Sequence, residues 1–136
     1  MITREDIRRI PDLHRRIIRK QEQLLYLREK ATSVPSGLSD TERVQSSPGN
    51  SAGRYVDAAI DLNSEIMQDM RELDELKQKA SLFINTLPVD TDTERLTVKI
   101  LRYRYLQCCT WDETADILGY AIRYIQDLEY KIIRDL

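Results

Sequence analysis

The sequence predicts an all-α protein: a long antiparallel helical hairpin followed by a three-helix domain of the helix-turn-helix type. Three observations predict it. Apolar residues recur at three- and four-residue intervals through both halves of the chain, without strand-like alternation. Only 4 Gly and 4 Pro occur in 136 residues, so long stretches carry no helix breaker. Near the C-terminus, Ala115, Gly119, Ile125 and Leu128 stand at the spacing that two steeply crossing helices need. Ala115 is small enough for close approach, and Gly119 is free to take positive φ. Ile125 and Leu128 then turn inward onto Ile117 and Leu118.

A first helix is expected over residues 6–32. Ile10, Leu13, Ile17, Leu24, Leu27 and Ala31 keep the repeat, which Lys20 interrupts. Pro11 suits a first turn, so the helix proper is expected to begin near it after a short lead-in turn. Ile18 and Leu25 widen the stripe beyond what one partner helix needs. The outer face is basic, with Arg8, Arg9, Arg15, Arg16, Arg19 and Lys20, and reads as a solvated face or one paired with an acidic neighbour.

Residues 33–53 read as a Ser-, Gly- and Pro-rich loop. Its polar cluster of Arg43, Gln45, Ser46 and Ser47 has the chemistry of an anion site, although plain disorder explains it as well. A second long helix follows over residues 54–87, with Ala59, Leu62, Ile66, Leu73, Leu76, Ala80, Phe83 and Leu87 in the stripe. Its outer face is acidic, with Asp57, Asp61, Glu65, Asp69, Glu72, Asp74 and Glu75. A basic helix and an acidic one favour antiparallel pairing. Two helices alone bury few residues from both sides, so residues 1–90 are expected to form a homodimer through the long helices, as a four-helix bundle, or else to pack on the C-terminal domain.

Residues 91–136 are expected to form the second domain. Pro88 breaks the helix, and Thr91 with Glu94 forms a capping box for the next one, running to about residue 107. Its expected core is Leu96, Ile100, Leu101 and Tyr103, with Arg102 and Arg104 projecting. Residues 108–110 are a turn. Thr110 caps a helix over residues 111–118, with Glu113 as its N3 partner, and residues 119–121 turn into a last helix over residues 122–136.

Composition excludes several classes. A net charge of −2 argues against a non-specific nucleic-acid coat, while leaving room for a local patch. No apolar run approaches a membrane span, and the N-terminus, charged from Arg4 onward, has no signal-peptide core. Cys108 and Cys109 are adjacent, so a bridge between them would be strained, and two thiols make no zinc site. One is expected buried and the other in a turn. The chain reads as cytoplasmic, with no metal and no cofactor. His14 is the only His and reads as a surface residue. No carboxylate pair, Gly-rich phosphate loop or nucleophile–base set appears, so no enzyme is expected.

In the last helix Ile125, Leu128, Ile132 and Leu136 are expected to point inward, and Arg123, Gln126, Asp127, Tyr130 and Arg134 outward. Arg suits guanine, Gln adenine and Asp the cytosine amino group, whereas Tyr and Arg suit phosphate. Arg102, Arg104 and Lys131 add backbone contacts in this reading. The helix balances Arg123, Lys131 and Arg134 against Asp127, Glu129 and Asp135. A salt-laced helix in a protein-interaction module without DNA binding has the same pattern.

Residues 101–120 carry a hydrophobic–Arg–Tyr pattern followed by Trp111, Asp112, Glu113, Ala115, Leu118, Gly119 and Tyr120; residues 125–136 follow with Ile125, Leu128, Glu129, Lys131, Arg134 and Leu136. This stretch resembles region 4 of sigma factors, and more closely the sigma-region-4-like domain of phage late-gene regulators of the ArpU and RinA kind. Thr114 stands where those proteins usually carry Ile. The N-terminal half, with Arg43, Val44, Gln45, Ser46 and Ser47 in its loop, resembles a family of small phage and prophage proteins.

The resemblance implies a transcriptional regulator that binds double-stranded promoter DNA, with RNA polymerase as a second partner. By position it implies base contacts from Ile122, Arg123, Gln126 and Asp127, and phosphate contacts from Arg102, Arg104, Tyr130, Lys131 and Arg134. Two departures lower the implied affinity: Ala121 replaces the usual Ser or Thr cap, and Ile122 replaces a usually basic residue. A DNA-packaging protein like a small terminase subunit also joins a helix-turn-helix to an oligomerising helical segment and is the main alternative.

Overall fold

A computed structural model describes residues 1–32 and 48–136. Within them the chain forms α1 (Arg4–Thr32), α2 (Pro48–Ile84), α3 (Asp92–Leu101), α4 (Trp111–Leu118) and α5 (Ile122–Ile133). A π-helical turn over Arg102–Leu106 continues α3. No strand occurs among the described residues, so the all-α expectation holds. None of their helices is long and apolar enough to cross a membrane. The cluster of Arg43, Gln45, Ser46 and Ser47 lies outside the described residues.

Two long-helix boundaries differ from expectation. α1 runs unbroken through Pro11 instead of starting near it. Pro removes one backbone hydrogen bond, but Ile7, Ile10 and Leu13 on either side are all buried, and that packing overrides the local penalty. α2 starts at Pro48, earlier than residue 54.

Contacts group the chain into two units, Met1–Arg15 with Arg71–Leu136, and Arg16–Met70. The boundary expected between residues 90 and 91 falls inside the first.

In the unit Arg16–Met70, α1 and α2 bury Ile17, Leu24, Leu62 and Ile66. Lys20, where the first stripe is interrupted, meets a polar residue on the other helix. Asp69, expected on the outer acidic face, is only 7% exposed. Lys20 Nζ lies 2.9 Å from Asp69 Oδ2 and 3.2 Å from Glu65 Oε1, and Arg16 Nη2 lies 3.1 Å from Asp69 Oδ1. Burial alone would push the Asp69 carboxyl upward, but hydrogen bonds from Lys20 and Arg16 outweigh it and hold the carboxyl below its ordinary value. The Asp69 hydrogen bond likewise holds the Lys20 ammonium above its ordinary range. The two interruptions of the apolar stripes are thus one buried polar layer.

In the other unit, the start of α1 buries Ile7, Ile10 and Leu13, and the end of α2 buries Leu73, Leu76, Ala80 and Ile84. Arg9 Nη2 pairs with Glu72 Oε1 at 2.7 Å across these segments. His14, expected on the surface, is half-buried, and burial followed by the nearby Lys77 charge lowers its pKa. After Ile84 the chain turns through Pro88. Arg95 then donates to the carbonyls of Val89 (2.9 Å) and Asp90 (3.2 Å), fixing the entry to α3. Thr91 and Glu94 form the expected capping box.

Candidate nucleic-acid interface

The last two helices are positioned by three local devices. Thr110 Oγ1 accepts from the Glu113 backbone N–H at 3.1 Å, and Glu113 Oε1 accepts from the Thr110 N–H at 2.9 Å, so α4 begins with a complete capping box. These bonds, backbone first, lower the Glu113 pKa. Thr114, fully buried, satisfies its hydroxyl by donating to the Thr110 carbonyl at 2.8 Å. A Thr is therefore accommodated where the sigma-like pattern has Ile.

Gly119 ends α4 in the left-handed region at φ 75°, and its N–H donates to the Ala115 carbonyl at 2.8 Å. A Cβ built there would meet nothing within 4 Å, so any cost of substitution comes from the backbone alone. Gly119→Val is expected to destabilise by about 1–3 kcal/mol, and Gly119→Asn by less, since Asn tolerates this region. Thermal unfolding of the two variants checks this; equal stability would mean the turn tolerates a β-branched residue at positive φ.

Ala115, Ile125 and Leu128 share one core with Ile100 of α3, and Leu96, Trp111, Leu118 and Ile122 pack against it. Ile117, expected inside, is 54% exposed: the helix turns Leu118 inward and leaves Ile117 outside. On α5 the buried residues are Ile125, Leu128 and Ile133, with Ile132 only half-buried, so the inward arc is rotated from the one expected. Glu129, on that arc, reaches the π turn. The buried Tyr105 hydroxyl donates to Glu129 Oε2 at 2.6 Å. Burial raises the pKa of both groups, the Glu129 charge adding to the shift on Tyr105.

The expected contact residues separate into two sets. Arg123, Gln126, Asp127, Tyr130, Lys131 and Arg134 are exposed, and helical periodicity puts them on one arc of α5. Among the described residues no side-chain hydrogen bond involves Arg123, Gln126, Asp127 or Tyr130. Arg134 Nε lies 3.7 Å from Asp135. Ile122 is half-buried against the core, leaving part of its side chain for an apolar contact. Ala121 opens α5 without a side-chain cap.

The second set is engaged elsewhere. Arg102 is exposed and donates to Asn85 Oδ1 at 3.4 Å. Arg104, expected to project, is half-buried. Its Nη1 donates to the Cys109 carbonyl at 2.6 Å, and its guanidinium lies 4.3 Å from the Trp111 ring centroid. Arg104 stands four residues after Ile100 and three after Leu101, both fully buried, so helical periodicity itself puts it on the inward side, against the loop and α4. The loop itself places Cys108 at φ 55°, with both thiols free and half-buried.

Sequence reasoning missed two residues on the exposed side. Tyr120 and Tyr124 are 48% and 43% exposed, with ring centroids 5.5 Å apart. Their four-residue spacing was the available signal, although the pair straddles the turn. Compared with known proteins, the chain matches no family model, no curated protein and no solved structure.

Proposed function

We propose that this chain is a phage-type, sequence-specific DNA-binding transcriptional regulator. In this reading a long helical hairpin precedes a sigma-region-4-like helix-turn-helix made of α3, α4 and α5, with α5 as the recognition helix. The observation that carries it is the Gly119 turn with Ala115, Ile125 and Leu128 in one core, which leaves Arg123, Gln126, Asp127 and Tyr130 exposed together on the second helix of the turn. Arg123, Gln126 and Asp127 contact base edges. The exposed part of Ile122 suits a thymine methyl group. Tyr130, Lys131, Arg134 and Arg102 contact phosphate. Arg104 acts at one remove, by fixing the loop before α4.

Selection of bound duplexes from a random pool at moderate salt tests the reading. A common sequence should emerge. Arg123→Ala should lower affinity for it by about 1–3 kcal/mol and relax preference at one base position. Lys131→Ala should weaken all duplexes alike and reduce the salt dependence by roughly one counterion. Unchanged binding and preference in Arg123→Ala would remove α5 as the reading element.

One observation favours a second reading, a protein-interaction module. Arg123, Lys131 and Arg134 are balanced by Asp127, Glu129 and Asp135, so the helix supplies little net attraction to phosphate. That reading expects no enriched duplex. A ring of many subunits would point instead to DNA packaging.

A further inference from the structure

The unit Arg16–Met70 exposes an apolar stripe that its own core does not use. Val56, Ile60, Met67 and Met70 of α2 are 44–60% exposed. With Asn63 between them they follow a four-three-four-three spacing, the seam of a helix that packs on another helix. The buried stripe of the same helix, Leu62, Ile66 and Asp69, lies about 100° away around the axis. On α1, Ile18 and Leu25 are 40% and 59% exposed. The pairs Lys20–Glu65 and Arg16–Asp69 fix an antiparallel register that sets Ile18 beside Met67 and Leu25 beside Ile60. Further along, Arg28, Ala31 and Thr32 line one groove with Val56, Ile60 and Asn63.

We propose that this face is the interface with a second copy of the chain, on a two-fold axis through Asn63 that sets the two α2 helices antiparallel. Three arguments select that occupant. The stripe is symmetric about Asn63: the axis brings Val56 against Met70 of the other copy and Ile60 against Met67. An amide that both donates and accepts pairs with its own symmetry copy, whereas an apolar partner would bury it with only the weak 3.8 Å contact from its Nδ2 to Met67 Sδ. A parallel pairing would set Asp74, the next residue in the spacing, against another Asp74; the antiparallel one avoids this.

Area agrees. Six half-exposed large side chains leave on the order of 600 Å² of apolar surface, at the upper end of what a monomer exposes in one patch. With a polar rim this approaches the roughly 800 Å² per partner of a stable complex. The segment 33–47 brings only Val34, Leu38 and Val44 as large aliphatic residues, too few to match the seam.

This inference does not depend on DNA binding, and its test uses no DNA. Sedimentation velocity of the full chain at tens of micromolar should show a dimer. Ile60→Asp with Met67→Asp should raise the dissociation constant by more than about 100-fold while leaving the circular dichroism unchanged, because both positions are exposed within one chain. Under mild oxidation Asn63→Cys should form a covalent dimer. Val56→Cys should not exceed the wild-type chain, which controls for Cys108 and Cys109. A wild-type monomer, whether its face is bare, covered by residues 33–47 or reserved for another protein, overturns the proposal. So does a dimer indifferent to the two Asp substitutions. Cross-linking through both engineered cysteines overturns the antiparallel axis.

Discussion

Replacing Ile125 by Ala is expected to cost about 2–5 kcal/mol, a large share of the roughly 5–15 kcal/mol that holds a domain folded. Ile125 is fully buried, and its neighbours Ile100, Ala115 and Leu128 come from three different helices. Backbone on three sides limits collapse into the space left, so the cavity term adds to the lost transfer term. Trp111 is the only Trp and packs on the same cluster, so its fluorescence reports the loss directly. The urea midpoint should fall with little change in slope. Ile117→Ala is the control: an exposed side chain should shift stability by less than about 0.5 kcal/mol. Equal effects at the two positions would contradict the packing described.

The second large effect is expected at Asp69. Removing one partner of a fully buried ion pair costs roughly 3–5 kcal/mol, and about 2–3 kcal/mol is expected for Asp69→Ala, because Lys20 keeps Glu65 and the Arg16 side chain is 41% exposed. The pH dependence has a definite sign. The folded Asp69 pKa is held below the ordinary value of 3.8, so its stabilisation is fully present above that value and is lost as pH falls through the folded pKa. Lys20 acts in the opposite window: its folded pKa lies above 10.5, and its contribution is lost as pH rises through it. Denaturant unfolding at acid pH, followed by circular dichroism, should show a steeper loss for the wild type than for Asp69→Ala. Parallel curves would mean the carboxylate is not paired in solution.

The parts of the fold that were legible in the sequence are those set by neighbours in the chain. Thr91 with Glu94 and Thr110 with Glu113 are capping boxes because each needs only a three-residue spacing, and Gly119 marks its turn because positive φ is a property of one residue. Lys20 was visible as an interruption, but its partner was not. Asp69 looks like any other acidic residue until α1 is laid beside α2, since the pairing joins residues 49 positions apart. Arg104 was misjudged although its spacing from Ile100 and Leu101 puts it on the buried side; only its partners, the Cys109 carbonyl and the Trp111 ring, lay beyond what helical periodicity reveals. On the candidate interface, Arg123, Gln126 and Asp127 were readable from a three-four spacing. The burial of Ile133 was not, because it shares a pocket with Tyr105 and Glu129, a neighbourhood that only the folded chain brings together.

The π turn at Arg102–Leu106 also bears on how this chain should be compared with others. Such a turn holds one residue more than the α turn it replaces, so it is a single-residue insertion absorbed without a loop. Beside a relative whose corresponding helix is plain α, the alignment gap belongs within residues 102–106 and not in the neighbouring 107–110 segment. With the gap displaced into that segment, residues of the turn are paired one position out of step, a rotation of about 100° on a helix. Arg104 would then be matched to a residue from a different face of that helix, and its place against Trp111 would be invisible in the comparison.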